Sequence, residues 1–375
     1  MSSTGELLRK LQEGEGDEAL RGLYALDGSE ASLEKGRERA VRVVRAFEAE
    51  FGARPQAALF SGPGRTEIGG NHTDHQHGRV LCGSVDLDML ACAAPNGTDL
   101  VRIQSEGYPA LEVDLRDLRV REEEKNSSPA LVRGVAARLA ELGCRPAGFD
   151  AYVTSTVLSG SGLSSSAAYE ILVATIIDCF FGGGTLDPVE RAKVGQYAEN
   201  VYFGKPCGLM DQMGSSVGGA VAIDFADPAA PVVQKVEYDF ARSGHALCIV
   251  DTGSCHADLT DDYADITREM GAVAAHFGKK FLRDVDEGDF RAALPQLREE
   301  CGDRAVLRAM HFFEEDCRAE QEAQALEGGG FAGTIQAFVP NGKLETFRRG
   351  MEELLGPGMC HILHIRPQGG CVVLK

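Results

Sequence analysis

"FDAYVTSTVLSGSGLSSSAAYEILVATIIDCFF", Phe149 to Phe181, carries a strand, a small-residue turn and an apolar helix in one run. "DAYVTSTV" has the β-branched and aromatic density of a strand. "AAYEILVATIIDCFF" is apolar enough for burial, shorter than a membrane span, and interrupted by Glu170 and Asp178. Between them "SGSGLSSSAA", Ser159 to Ala168, lets backbone N–H groups approach an anion closely, and the helix start adds its positive dipole end. Three consecutive serines offer hydroxyls to phosphate oxygens or to Mg²⁺. No G-K-[ST] makes it a Walker A loop, and Ser165 stands where a dinucleotide fingerprint needs its third glycine. Taken alone, such a turn also serves as a helix cap.

Around this stretch the pattern is mixed. "GSEASLEKGRERAVRVVRAFEAEFG" spaces Val41, Val44 and Phe47 for one buried helix face, inside a helical first 55 residues. "PQAALFSGPGR" reads as a short strand breaking into a glycine turn, and "VLCGSVDLDMLACAAP" and "LVRIQSE" read as strands. "SPALVRGVAARLAELG" and "PVERAKVGQYAENVYFG" read as helices stopping at Gly143 and Gly204. Beyond Asp224, "HALCIVDTGS" is strand-like. "DDYADITREMGAVAAHFG", "DFRAALPQLREECG" and "DRAVLRAMHFFEEDCRAEQEAQALE" are each read as one helix. The order predicts an α+β protein of two lobes, residues 1–224 and 225–375.

The 375 residues carry a net charge of −19, which argues against a nucleic-acid partner. The first twenty residues hold no apolar core of signal-peptide length, and no membrane partner is expected. Eleven cysteines without C-x-x-C pairs read as free thiols in a reducing cytoplasm.

Two further stretches carry chemistry. "GRTEIGGNHTDHQHG", Gly64 to Gly78, packs histidine, acid and amide groups together. Its His72, His75 and His77 suit a single tetrahedral zinc site poorly, and no cysteine lies within it. In "CGLMDQ", Asp211 is a lone acid in a nearly uncharged run, able to orient a substrate hydroxyl and accept its proton; a helix N-cap is the alternative. Glu199, on the preceding helix, offers a carboxylate to Mg²⁺ or simply faces solvent.

Together "GPGRTEIGGNHTDHQHG", "GSGLSSSAA" and "GKPCGLMDQ" resemble, in order and wording, the galactokinases of the GHMP small-molecule kinase family. The resemblance runs from about Phe60 to Asp224 and more loosely through "DTGSCHADLTDDYADI". It implies a two-lobed GHMP kinase fold with the active site between the lobes, and phosphoryl transfer from ATP to the anomeric hydroxyl of α-D-galactose. Residue by residue, it implies that Gly160, Ser161, Gly162, Leu163, Ser164, Ser165 and Ser166 form the ATP phosphate loop, and that Ser166 and Glu199 hold Mg²⁺. Asp211 and Arg65 are then the catalytic pair, and His72, Thr73, Asp74, Gly208 and Tyr263 contact the sugar. Asn71 stands where the family has a sugar-binding glutamate, which brings N-acetylgalactosamine closer as a substrate. A catalytically silent galactose and ATP sensor is the other alternative; the intact Ser165–Ala168 run speaks for the enzyme. A monomer or weak dimer is expected. "GGGFAGT", Gly328 to Thr334, matches the family's third glycine motif, but a charged helix runs straight into it where relatives have several dozen more residues including a strand, so a segment is read as omitted there.

Overall fold

The computed structural model describes residues 1–157, 162–238, 240, 243–250, 260–327 and 337–375, side chains included except at 260–264 and 327. Helices α1 (Thr4–Gln12), α2 (Asp17–Tyr24) and α3 (Glu30–Phe51) open the chain, followed by strands β1 (Ala58–Gly69), β2 (Arg79–Pro95), β3 (Leu100–Ser105) and β4 (Leu111–Asp114). Helix α4 (Ser128–Glu141), strand β5 (Phe149–Ser155), helices α5 (Ser165–Ile177), α6 (Pro188–Tyr197) and α7 (Met210–Val217), and strands β6 (Ala220–Asp224), β7 (Val232–Val236) and β8 (His245–Val250) come next. Then follow helices α8 (Thr260–His276), α9 (Glu287–Ala292), α10 (Leu294–Cys301) and α11 (Asp303–Glu327), strand β9 (Ala337–Pro340), helix α12 (Leu344–Leu355), and strands β10 (Cys360–Leu363) and β11 (Cys371–Leu374).

Eight strands form the main sheet, ordered β11-β1-β2-β5-β3-β4, with the first part of β2 also pairing β6 and β6 pairing β7. A second sheet is ordered β10-β8-β9. The main sheet is covered on both faces, so its central strands are apolar at consecutive positions rather than alternating. Leu59, Leu90, Cys92 and Ala94 face α1–α3, while Phe60, Ala91, Ala93 and Val153 face α4, α5 and α6. Each fully buried large side chain contributes about 1.5–3 kcal/mol.

Helix α3 starts at Ser29, whose hydroxyl accepts from the Ser32 amide, and stops at Gly52, at φ 79°. Val44 and Phe47 are buried as expected. Val41 is only half-buried, and Leu33, Gly36, Ala40 and Val43 complete the stripe. The apolar stretch Ser165–Gly182 is long enough to cross a membrane by length and composition, yet it is 67% buried as the central helix of this core.

Two local expectations are corrected. The glycines after "PQAALF" do not turn the chain: β1 runs on through Gly62 and Gly64. They are needed for close approach, since a Cβ at Gly62 would sit 2.4 Å from the Ala168 carbonyl oxygen on α5. "DFRAALPQLREECG" is two helices, because Pro295 cannot donate inside one helix and instead sits in the first turn of α10.

Asp88, fully buried on β2, gathers distant parts of the chain. It accepts from Tyr24 at the end of α2 (2.7 Å), Arg39 on α3 (2.5 Å), Ser61 on β1 and Arg366 ahead of β11 (3.2 Å). Burial alone would raise its pKa, but Arg39, Arg366, Ser61 and Tyr24 outweigh that and hold it low. Strand β11 then pairs with β1, Val372 opposite Phe60. The ten described cysteines are all free.

Candidate active site

Three pieces of chain meet at Arg65. It lies on β1, 5% exposed, where the alternation of the strand turns its side chain toward the start of α7. Its Nε and Nη2 donate to Asp211 Oδ1 at 2.8 and 2.5 Å, and its Nη1 donates to the Gly162 carbonyl. Its own amide donates to the Leu163 carbonyl at 3.1 Å. Both carbonyls of that turn are thus drawn onto one strand residue.

Asp211 sits in the first turn of α7, where the helix dipole favours a negative charge. Its second oxygen accepts from the Ser164 hydroxyl. Burial works to raise its pKa, but Arg65, then His72, then the Ser164 and Arg65 hydrogen bonds bring it down to about 2. Asp211 is therefore an anion at any physiological pH. Arg65, beside it, is held charged.

Of the expected phosphate loop, Gly160 and Ser161 lie outside the described residues. Gly162 has φ 77°, a conformation glycine adopts freely. The Leu163 side chain is buried. Ser164 is left-handed, at φ 55°, directly before α5, and its hydroxyl is committed to Asp211. Ser165 and Ser166 open α5, and the Ser166 hydroxyl donates to Glu199 Oε1 at 3.2 Å.

Beneath that pair lie two residues the sequence reading missed. Gln212 Nε2 donates to Glu199 Oε2 at 2.8 Å and to Glu170 Oε2 at 3.0 Å, all three buried. Among the described residues Glu170 Oε1 has no hydrogen-bond partner, and burial, then the neighbouring Glu199, pushes the Glu170 carboxyl well up. The signal was present: Glu170 is a lone acid in an apolar helix, one turn after Ser166. Burial also raises Glu199. A hydroxyl and a buried carboxylate side by side are hard oxygen donors that fit Mg²⁺, whose charge would offset the cost of burying Glu199.

The turn between β1 and β2 holds the remaining residues. Asn71 is exposed at φ 38° and His72 half-exposed at φ 60°, a pair of consecutive left-handed residues. Asp74, 7% exposed, accepts from the Met210 amide at 3.0 Å and so anchors the turn to the start of α7. Gly208 lies against the same carboxylate: a Cβ there would be 1.8 Å from Asp74 Oδ2. Thr73 is buried with its hydroxyl donating to the Arg79 carbonyl at 2.6 Å, inside the turn. His77 stacks on Phe281, ring centroids 3.6 Å apart, and burial pushes the pKa of both His75 and His77 down. Tyr263 and the Gly328–Thr334 motif lie outside the described side chains. The turn therefore brings His72, Asp74 and Gly208 to the side of α7 that carries Asp211.

Comparison with known proteins gives this geometry its context. Residues 130–219 match the GHMP kinases N terminal domain, and residues 45–95 match the galactokinase galactose-binding signature. The chain is 33% identical over 283 residues to a galactokinase of Streptomyces coelicolor, covering 76% of this chain and 72% of that one. It is 31% identical over 295 residues to a galactokinase of Homo sapiens, again covering 76% and 72%. Its fold matches a crystal structure of Lactococcus lactis galactokinase complexed with galactose, with a TM-score of 0.75, 21% identity, and coverage of 87% and 98%.

Proposed function

The chain belongs to the galactokinase family of GHMP kinases, and from that premise we propose that it transfers the γ-phosphoryl group of ATP to the anomeric hydroxyl of α-D-galactose, giving galactose 1-phosphate and ADP. The observation that carries the reading is the Arg65–Asp211–Ser164 cluster, formed where the phosphate loop and the sugar turn meet.

In this reading Asp211 accepts a hydrogen bond from the anomeric hydroxyl and aims its oxygen at the γ-phosphorus. With a pKa of about 2, Asp211 is too weak a base to ionise a free sugar hydroxyl in advance. The proton instead moves to a carboxylate oxygen of Asp211 as the new O–P bond forms and the sugar oxygen loses basicity. The bond from the γ-phosphorus to the bridging oxygen breaks, and ADP leaves with the electron pair. Arg65 holds Asp211 by a fork of two donors and puts a permanent positive charge beside the developing phosphoryl charge. The amides opening α5 and residues 160–166 receive the phosphates. Ser166 and Glu199 would hold Mg²⁺, which when bound neutralises phosphate charge. His72, Asp74, Asn71 and the Gly208 backbone are the sugar contacts in this reading, and the family pattern adds Tyr263. Residues 1–224 and 225–375 form the two lobes, with β7 and β11 belonging to the first lobe's sheet, and the enzyme acts as a cytoplasmic monomer or weak dimer.

A coupled ADP-release assay across galactose, N-acetylgalactosamine, glucose and arabinose tests the reading. Turnover with galactose is expected. Absence of turnover with every sugar would reject the enzyme in favour of a silent sensor.

A further inference from the structure

Resting on the galactose-kinase reading, we propose that Glu67 is the positioning residue of the sugar site. It shares a face of β1 with Arg65, two residues along the strand, so one face carries both residues to the site. Its side chain is only 14% exposed. Glu67 Oε1 accepts from the His72 amide at 2.6 Å, and Glu67 Oε2 lies 3.6 Å from His72 Nε2. One carboxylate thus holds the His72 backbone and lies beside its ring.

The backbone explains why this is needed. Gly70, Asn71 and His72 run at φ 98°, 38° and 60°. Two consecutive non-glycine residues in the left-handed region are costly, and such a turn persists only where its surroundings hold it. Asn71 is exposed, so it gives little anchorage. The turn is pinned at its far side by Asp74 on the Met210 amide and at its near side by Glu67 on the His72 amide. The His72 ring lies between these two carboxylates, with Oε2 of Glu67 3.6 Å from one ring nitrogen and Oδ1 of Asp74 4.0 Å from the other. Glu67 does the work of orienting a sugar-facing imidazole while Asn71, at the tip, carries no charge.

Two conservative variants separate reach from charge. Glu67→Gln keeps an acceptor oxygen at the same length and loses the charge; Glu67→Asp keeps the charge and withdraws the oxygen by one methylene. Loss of a hydrogen bond to a charged acceptor is worth roughly tenfold or more in affinity. Steady-state kinetics are expected to show KM for galactose within about threefold of wild type for Glu67→Gln, and raised about tenfold or more for Glu67→Asp. KM for ATP should stay within about twofold in both. The inference is overturned if Glu67→Gln is the more impaired, if neither variant changes KM for galactose, or if the KM values for both substrates rise together. Should Glu67→Asp not fold, Glu67→Leu, similar in volume and without an acceptor, takes its place with the same expected rise. Failure of the parent reading is seen separately, as wild-type enzyme that turns over no galactose.

Discussion

Glu322 is the most exposing test of the electrostatics, because its carboxyl is buried with no described group to receive it. It lies on α11 with 3% of its surface exposed, against Gly69 at the end of β1, and neither oxygen has a hydrogen-bond partner among the described residues. Its apolar surroundings include Ile68, Leu81 and Leu326. Burial pushes its pKa up to about 7 from the ordinary 4.5; Arg318 opposes this and Glu67 adds to it. The folded state therefore holds a proton that the unfolded state releases. Stability from this group is fully present below the unfolded pKa and is lost as pH rises through about 7, then stays constant. The whole shift corresponds to about 3 kcal/mol, of which about 2 kcal/mol falls between roughly pH 5.5 and 8.5. Glu322→Gln removes the titration and leaves a buried amide whose cost does not vary with pH. Urea unfolding of both proteins across that window is the assay. The stability of the variant relative to wild type should rise by about 2 kcal/mol from the acid to the alkaline end. A difference flat with pH would refute the reasoning, and with it the claim that this carboxyl is held in apolar surroundings.

Other outcomes follow from the same geometry. Asp211→Asn should lower kcat by on the order of 10²–10⁴ while ATP affinity, read by fluorescence or calorimetry, stays near wild type. Gly208→Ala drives a Cβ into Asp74, so it should free the Met210 amide, raise KM for galactose and cost about 1–2 kcal/mol in urea unfolding. Tyr24→Phe removes one donor from the buried Asp88 and should cost about 1–3 kcal/mol without changing KM for either substrate.

How much of this could be read from the chain depends on how local the signal is. Arg65, Asp211, Ser166 and Glu199 are marked by the likeness of short local stretches to one kinase family, and the structure brings Arg65 to Asp211 and Ser166 to Glu199. The strand-turn-helix order around Ser159–Ala168 is equally local. Ser164 was read as a phosphate ligand because serines in such a turn usually face the anion; its bond to Asp211 depends on where α7 docks, which no spacing reveals. Gly62 and Gly64 were read as a turn because two glycines and a proline in a row usually make one. Their actual reason, the approach of α5 to β1, is a contact between segments a hundred residues apart. Glu67 escaped notice because nothing in "GRTEIGG" says that its carboxylate turns back to the amide of His72. Gln212 likewise matters only once α5, α6 and α7 are packed together, whereas Glu170 is marked in the sequence as a lone acid in an apolar helix.

The Asp88 cluster sets a timetable for biosynthesis. Arg366 meets Ser61 across 305 residues of chain, and β11 closes the edge of β1 from just as far away. At ribosomal speeds of about 5–20 residues per second, that separation lasts roughly 15–60 s. Throughout it the nascent sheet has an open edge at β1, and Asp88 has only one of its two arginines. The strand that carries Arg65 is thus made long before it is enclosed. A chaperone that shields β1 during this interval should raise the yield of folded protein more than one that acts after β11 has been made.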